Sequence, residues 1–181
     1  MREPADLNRI QALMRALAAE ADVETRLYFT GGATAVLLGW RASTIDVDLR
    51  FIPESGRLFT AIAGLKETLR INVELAWPPD FIPQLPGWES RSLFIAGEGN
   101  LTFYHYDPYS QALAKIERRH EQDREDVRQM IQRGLVEPVR ALELLDAVWP
   151  DLNRYPAIDP RSFRRAAEEI LTGARQNPER S

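Results

Sequence analysis

Apolar residues recur at helical spacing near the start of the chain, at Leu7, Ile10, Leu13, Met14 and Leu17, with Asp6 where an N-cap belongs. This predicts an opening amphipathic helix that covers one face of a sheet. A short strand is predicted over 26–29, a short helix over 33–38 closed by Gly39, and a longer helix over 55–69 after Pro53. Between and after these the period falls to two. Over 46–51, Val47, Leu49 and Phe51 take one face and Asp46, Asp48 and Arg50 the other. Over 71–75, Ile71, Val73 and Leu75 oppose Asn72 and Glu74 in the same way.

Pro78, Pro79, Pro83 and Pro86 predict a loop, because proline fixes φ and removes a backbone donor. Strand signals return over 92–95 and 101–106, joined by Gly97-Glu98-Gly99-Asn100 as a hairpin. Asp107-Pro108 pairs a cap with a first-turn proline and starts a helical region that runs to Trp149 with a break near Gly134. One helix of that region is expected to carry Lys115 through Met130. Asp159-Pro160 repeats the start signal for a last helix over 161–174, and the polar tail after Gln176 is expected to fray. This order predicts an α+β fold, a mixed twisted sheet flanked by helices with a C-terminal helical region. Residues 1–106 form the expected catalytic core, 107–176 the helical region packed on it, and 177–181 the tail.

A length of 181 residues accommodates either one well-buried core or a core with a helical appendage. The chain has no cysteine, which excludes disulfides, thiolate zinc sites and thiol nucleophiles. With only His105 and His120, a histidine-rich metal site is disfavoured. The amino terminus lacks the apolar core of a secretory signal and no apolar run approaches membrane-spanning length, so no membrane association and a cytoplasmic location are expected. A net charge of -4 argues against indiscriminate nucleic-acid binding, so any RNA contact must be local.

The candidate chemistry lies in Thr30-Gly31-Gly32 and in Thr44-Ile45-Asp46-Val47-Asp48-Leu49. A glycine turn brings backbone N–H groups against phosphates, and two carboxylates on one strand can hold the divalent metals that phosphates carry. Asp46 and Asp48 lie one strand repeat apart, roughly 6 to 7 Å at their Cα atoms, so their oxygens can converge on cations. Glu74 completes a triad if its strand pairs beside that of Asp46. Three crowded carboxylates repel unless a cation offsets their charge, which implies Mg²⁺ or Mn²⁺. Each piece also has a plain reading. An isolated Asp-x-Asp is the wet face of a half-exposed sheet, an isolated Gly-Gly a strand-to-helix turn needing a positive φ, and a single Glu on an alternating strand faces solvent. The order of glycine turn, short helix, paired-acid strand and third-acid strand favours a site.

Thr30-Gly31-Gly32-Ala33, with Arg41 and Thr44 leading into Asp46-Val47-Asp48, resembles the DNA polymerase β-like nucleotidyltransferase superfamily. A second block, Asp107-Pro108-Tyr109, Ala114-Lys115-Ile116, Arg119 and Asp123-Arg124-Glu125-Asp126, is similar to helices of its abortive-infection branch, the toxins of bacterial toxin–antitoxin systems. The resemblance covers about Leu27 to Met130. It implies a polymerase β-like fold in which Asp46 and Asp48 bind the metals carrying a nucleoside triphosphate. It further implies that Gly31 and Gly32 cradle the phosphates with Thr30, Arg41 and Thr44 beside them, that Glu74 is third ligand or base, and that Lys115 stands near the phosphates; the plain reading of Arg41 is that it braces the turn before Asp46. Asp123 matches the late acid of the toxin branch. The turn reads Thr-Gly-Gly where many catalytic members have Gly-Ser, so the usual hydroxyl is missing from its place.

The activity expected on this basis is transfer of a nucleoside monophosphate to a hydroxyl acceptor, an RNA end such as that of tRNA or a protein side chain, with a cognate antitoxin as a further partner. The alternative is a nucleotidyltransferase-like module that has lost its chemistry and acts by binding or regulation. On the helix around Lys115, pairing of Arg118, Arg119, Arg124 and Arg128 with Glu117, Glu121 and Glu125 on a solvated face is the plain expectation, while Lys115, among Ala112, Leu113, Ala114 and Ile116, is expected to face a cleft. Trp40, Trp77, Trp88 and Trp149 read as packing rather than base-stacking residues, and His105 as a satisfied structural group.

Overall fold

The computed structural model describes residues 1–173. In chain order it contains β1 (Ala5–Asp6), α1 (Leu7–Glu20), β2 (Thr25–Thr30), α2 (Gly31–Leu38), β3 (Ser43–Thr44), β4 (Asp46–Ile52), α3 (Gly56–Thr68) and β5 (Asn72–Glu74). A 3₁₀ turn (Pro78–Asp80), α4 (Trp88–Arg91), β6 (Leu93–Glu98) and β7 (Leu101–His105) follow. Then come α5 (Pro108–Arg118), α6 (Glu121–Gln132), α7 (Pro138–Val148), a second 3₁₀ segment (Trp149–Arg154) and α8 (Pro160–Gly173). The described chain divides into two compact units, Met1–Trp77 with Ser92–Tyr106, and Pro78–Arg91 with residues 107–173. Ala174 of the expected last helix and the expected tail lie outside the described residues.

The first unit is built on a five-stranded mixed sheet of order β5-β4-β2-β7-β6. Its centre, β2, runs antiparallel to β4 and parallel to β7, while β5 joins β4 in parallel and β6 joins β7 antiparallel. Alternation along β4 buries Val47, Leu49 and Phe51 in the core and leaves Asp46, Asp48 and Arg50 partly open on the other face. Ile10, Leu13 and Leu17 of α1 join Leu58 and Ile62 of α3 in the same core, each such burial contributing about 1.5–3 kcal/mol. Asp6 caps α1 by accepting from the Arg9 amide at 2.9 Å, and Ser55 caps α3 through the Leu58 amide at 3.2 Å. Leu7 and Leu75, both grouped with buried faces by periodicity, are each 42% exposed, because each lies where its element begins or has ended. The β6–β7 hairpin is tighter than expected, since Gly97 and Glu98 pair with Thr102 and Leu101 and only Gly99 and Asn100 turn.

The second unit is helical, with α5 packed on α6, α7 and α8. The single helix expected across Lys115 to Met130 is two helices. Arg119 adopts a left-handed φ of 63° and closes α5 through an N–H bond to the Lys115 carbonyl, and α6 starts two residues later. The cause is tertiary. Residues eight apart on one helix lie about 12 Å apart along its axis, whereas the break lets Asp123 and Asp126 of α6 reach Lys115 of α5 at 3.3 and 2.7 Å. The proline-rich stretch belongs to this unit, where Tyr155 donates to the Pro79 carbonyl at 3.0 Å and Arg91 pairs with the buried carboxylate of Asp107.

Candidate active site

The turn from β2 into α2 places Gly31 and Gly32 beside the paired-acid strand. Thr30 is the register partner of Asp48, so the chain enters α2 one residue past that carboxylate. Gly31 takes a φ of +61°, and a Cβ built there would lie 2.8 Å from Asp48 Oδ2. A Cβ on Gly32 would lie 1.9 Å from Thr44 Oγ1 and 3.3 Å from Arg41 Nη1. A side chain at Gly31 would be strained by the positive φ and would displace the Asp48 carboxylate, and at Gly32 the Thr44 side chain leaves no room for one. Thr44 is held by the β1–β3 pairing opposite Ala5 and donates to the Asp46 carbonyl at 2.9 Å. Gly31, Gly32, Arg41, Thr44 and Asp48 are thus gathered at the N-terminus of α2, the positive end of that helix's dipole. Thr30 makes no side-chain capping bond to those amides.

Across the sheet, Asp46 pairs in register with Asn72 and Asp48 with Glu74, so all four side chains share one face. Asn72 Nδ2 donates to Asp46 Oδ1 at 2.6 Å and to Glu74 Oε1 at 3.2 Å. Its Oδ1 accepts from Arg2 at 2.7 Å, and Arg2 also pairs with Glu67 at 3.2 Å. Arg50, next along the same face, pairs with Glu54 at 3.2 Å and lies 5.2 Å over the Trp77 ring. Among the described residues no three His, Cys, Asp or Glu side chains are gathered closely enough to hold one metal ion. The donor set still suits Mg²⁺ or Mn²⁺. Asp46 and Asp48 offer hard oxygens, and Mg²⁺ is ordinarily held by one or two carboxylates together with substrate phosphates rather than by an all-protein cage.

Lys115 and Asp123 belong to the helical unit. The Lys115 amine is 5% exposed and bound between Asp126 and Asp123, and Arg118 forks onto Asp123 at 2.8 and 2.7 Å. Burial opposes ionisation of Asp123, but the hydrogen bonds and charges of Arg118 and Lys115 outweigh it and hold the carboxyl below its ordinary range. Arg128 pairs with Glu125 as expected for a solvated face, whereas Arg118 has taken an aspartate. In the first unit His105 is buried beside Thr34 Oγ1 at 3.1 Å, and desolvation pushes its imidazole down to about 4.

Sequence reasoning gave no role to Asn72, Arg2 or Asp126. Asn72 was placed on the acid side of its strand by alternation, which is the signal that marks it. Arg2 carries no local signal at all, since its partners are 70 and 65 residues away.

Over residues 5–167 the chain matches the model of a family described as a nucleotidyltransferase of unknown function (DUF6036). No curated protein and no solved structure matches it.

Proposed function

The chain belongs to that nucleotidyltransferase family, and from this premise we propose a metal-dependent enzyme that moves a nucleoside monophosphate from a nucleoside triphosphate to a hydroxyl. The observation that carries the reading is the packing of the Gly31–Gly32 turn against Asp48 and Thr44, with Asp46 and Asp48 on one strand face. In this reading the first amides of α2 and the Arg41 guanidinium bind the phosphates. Asp46 and Asp48 hold Mg²⁺ or Mn²⁺, which when bound supplies charge neutralisation on the phosphates and activates the incoming hydroxyl. Glu74, exposed at the end of β5, takes the proton as the acceptor oxygen bonds to the α-phosphorus and pyrophosphate leaves. Lys115 and Asp123 serve by holding α5 against α6. The acceptor class is an RNA end or a protein hydroxyl, and a toxin role with an antitoxin partner is the extension that the toxin-like motifs support.

Incubation with α-phosphate-labelled triphosphates, Mg²⁺, total RNA and protein tests this. Label should enter one acceptor fraction, and Asp46→Ala and Asp48→Ala should each lower transfer by roughly a hundredfold or more while keeping wild-type circular dichroism. Undiminished transfer in both variants rejects the assignment. A module without chemistry would instead show no metal-dependent triphosphate uptake by calorimetry.

A further inference from the structure

Asn72 stands on β5 directly across the sheet from Asp46, one strand repeat before Glu74 on the same face. An arginine only donates, so the Arg2 guanidinium fixes the Asn72 oxygen toward itself. The amide nitrogen must then face the acids, and it donates to Asp46 at 2.6 Å and to Glu74 at 3.2 Å. Asp46 and Glu74 are diagonal neighbours on one face of the sheet, and two carboxylates so placed repel unless something draws them together. A neutral group with two N–H donors does so without adding charge. It ties up one oxygen of each acid and leaves the other to point elsewhere.

We infer that Asn72, oriented by Arg2, is a positioning residue that presets the Asp46 and Glu74 carboxylates for metal and acceptor. This rests on the proposed nucleotidyl transfer at the same site. It assigns to Asn72 no contact with substrate; the side chain acts through the two acids. Hydrogen-bonded partners of metal-binding carboxylates commonly change metal affinity by about 10–100-fold when removed. The order of action runs from Arg2 to Asn72 to Asp46, so removing Arg2 once Asn72 is gone should add nothing.

The test is Mn²⁺ binding by calorimetry in the presence of a non-hydrolysable triphosphate, on wild type, Asn72→Ala, Arg2→Ala, the double variant and Asp46→Ala. The expected result is about a tenfold loss of Mn²⁺ affinity in Asn72→Ala, a smaller loss in Arg2→Ala, and a double variant equal to Asn72→Ala. Thermal midpoints are recorded alongside, since a merely structural role would lower them and leave Mn²⁺ affinity unchanged. Wild-type affinity in Asn72→Ala overturns the inference, as does a double variant whose loss is the sum of the singles. If Asp46→Ala binds Mn²⁺ as tightly as wild type, the catalytic reading itself has failed, an outcome distinct from failure of the Asn72 inference alone.

Discussion

Gly31 and Asp48 show how a single residue type can be required twice at one position. A side chain at Gly31 would meet the carboxylate that the proposed chemistry uses, and its left-handed φ costs other residues roughly 1–2 kcal/mol. His105 is the residue whose environment has a readable pH consequence. Burial holds its folded pKa at about 4 against an ordinary 6.5, so between those values the unfolded chain binds a proton that the native chain does not. Native stability therefore falls as pH drops through this window and is unaffected by His105 above it. From about pH 7 to about pH 5 the loss should be on the order of 2 kcal/mol. Urea titrations of wild type and His105→Gln at both pH values check this; an equal acid loss in the two proteins would refute it.

At the scale of elements, the break between α5 and α6 turns a sequence-local cluster into a buried three-dimensional one. Lys115 lies between two carboxylates that are 2% and 0% exposed, sharing Asp123 with Arg118, and removing one member of such a set leaves buried charge uncompensated. Lys115→Met should cost about 3–5 kcal/mol in chemical denaturation. A wild-type midpoint would show instead that the lysine's work lies outside the helical packing. Because the pKa of Asp123 is lowered, its stabilisation is in place above the ordinary carboxylate range and is lost as pH falls through the depressed value.

At the scale of the whole molecule, the helical unit recruits residues 78–91, which precede two strands of the other unit. Arg91 binds both oxygens of Asp107, at 3.0 and 2.7 Å, and Asp107 is 0% exposed. A fragment beginning at residue 107 loses this cation and the Pro79 carbonyl that Tyr155 bonds. It should show no cooperative thermal transition by circular dichroism, and a sharp melt would show that residues 78–91 are dispensable. Among the described residues no helix is long and apolar enough to cross a membrane. Much of the architecture was legible along the chain, because strand and helix periods, caps at Asp6 and Asp107, and glycine turns are written in near neighbours. The acid face of β4 followed from alternation alone. What the linear order could not contain was the break at Arg119, the grip of Arg2 on Asn72, and the joining of Arg91 to Asp107. In each of these a charged group finds its partner only after the chain has returned on itself, so the contact that decides the local geometry lies outside the reach of helix or strand periodicity.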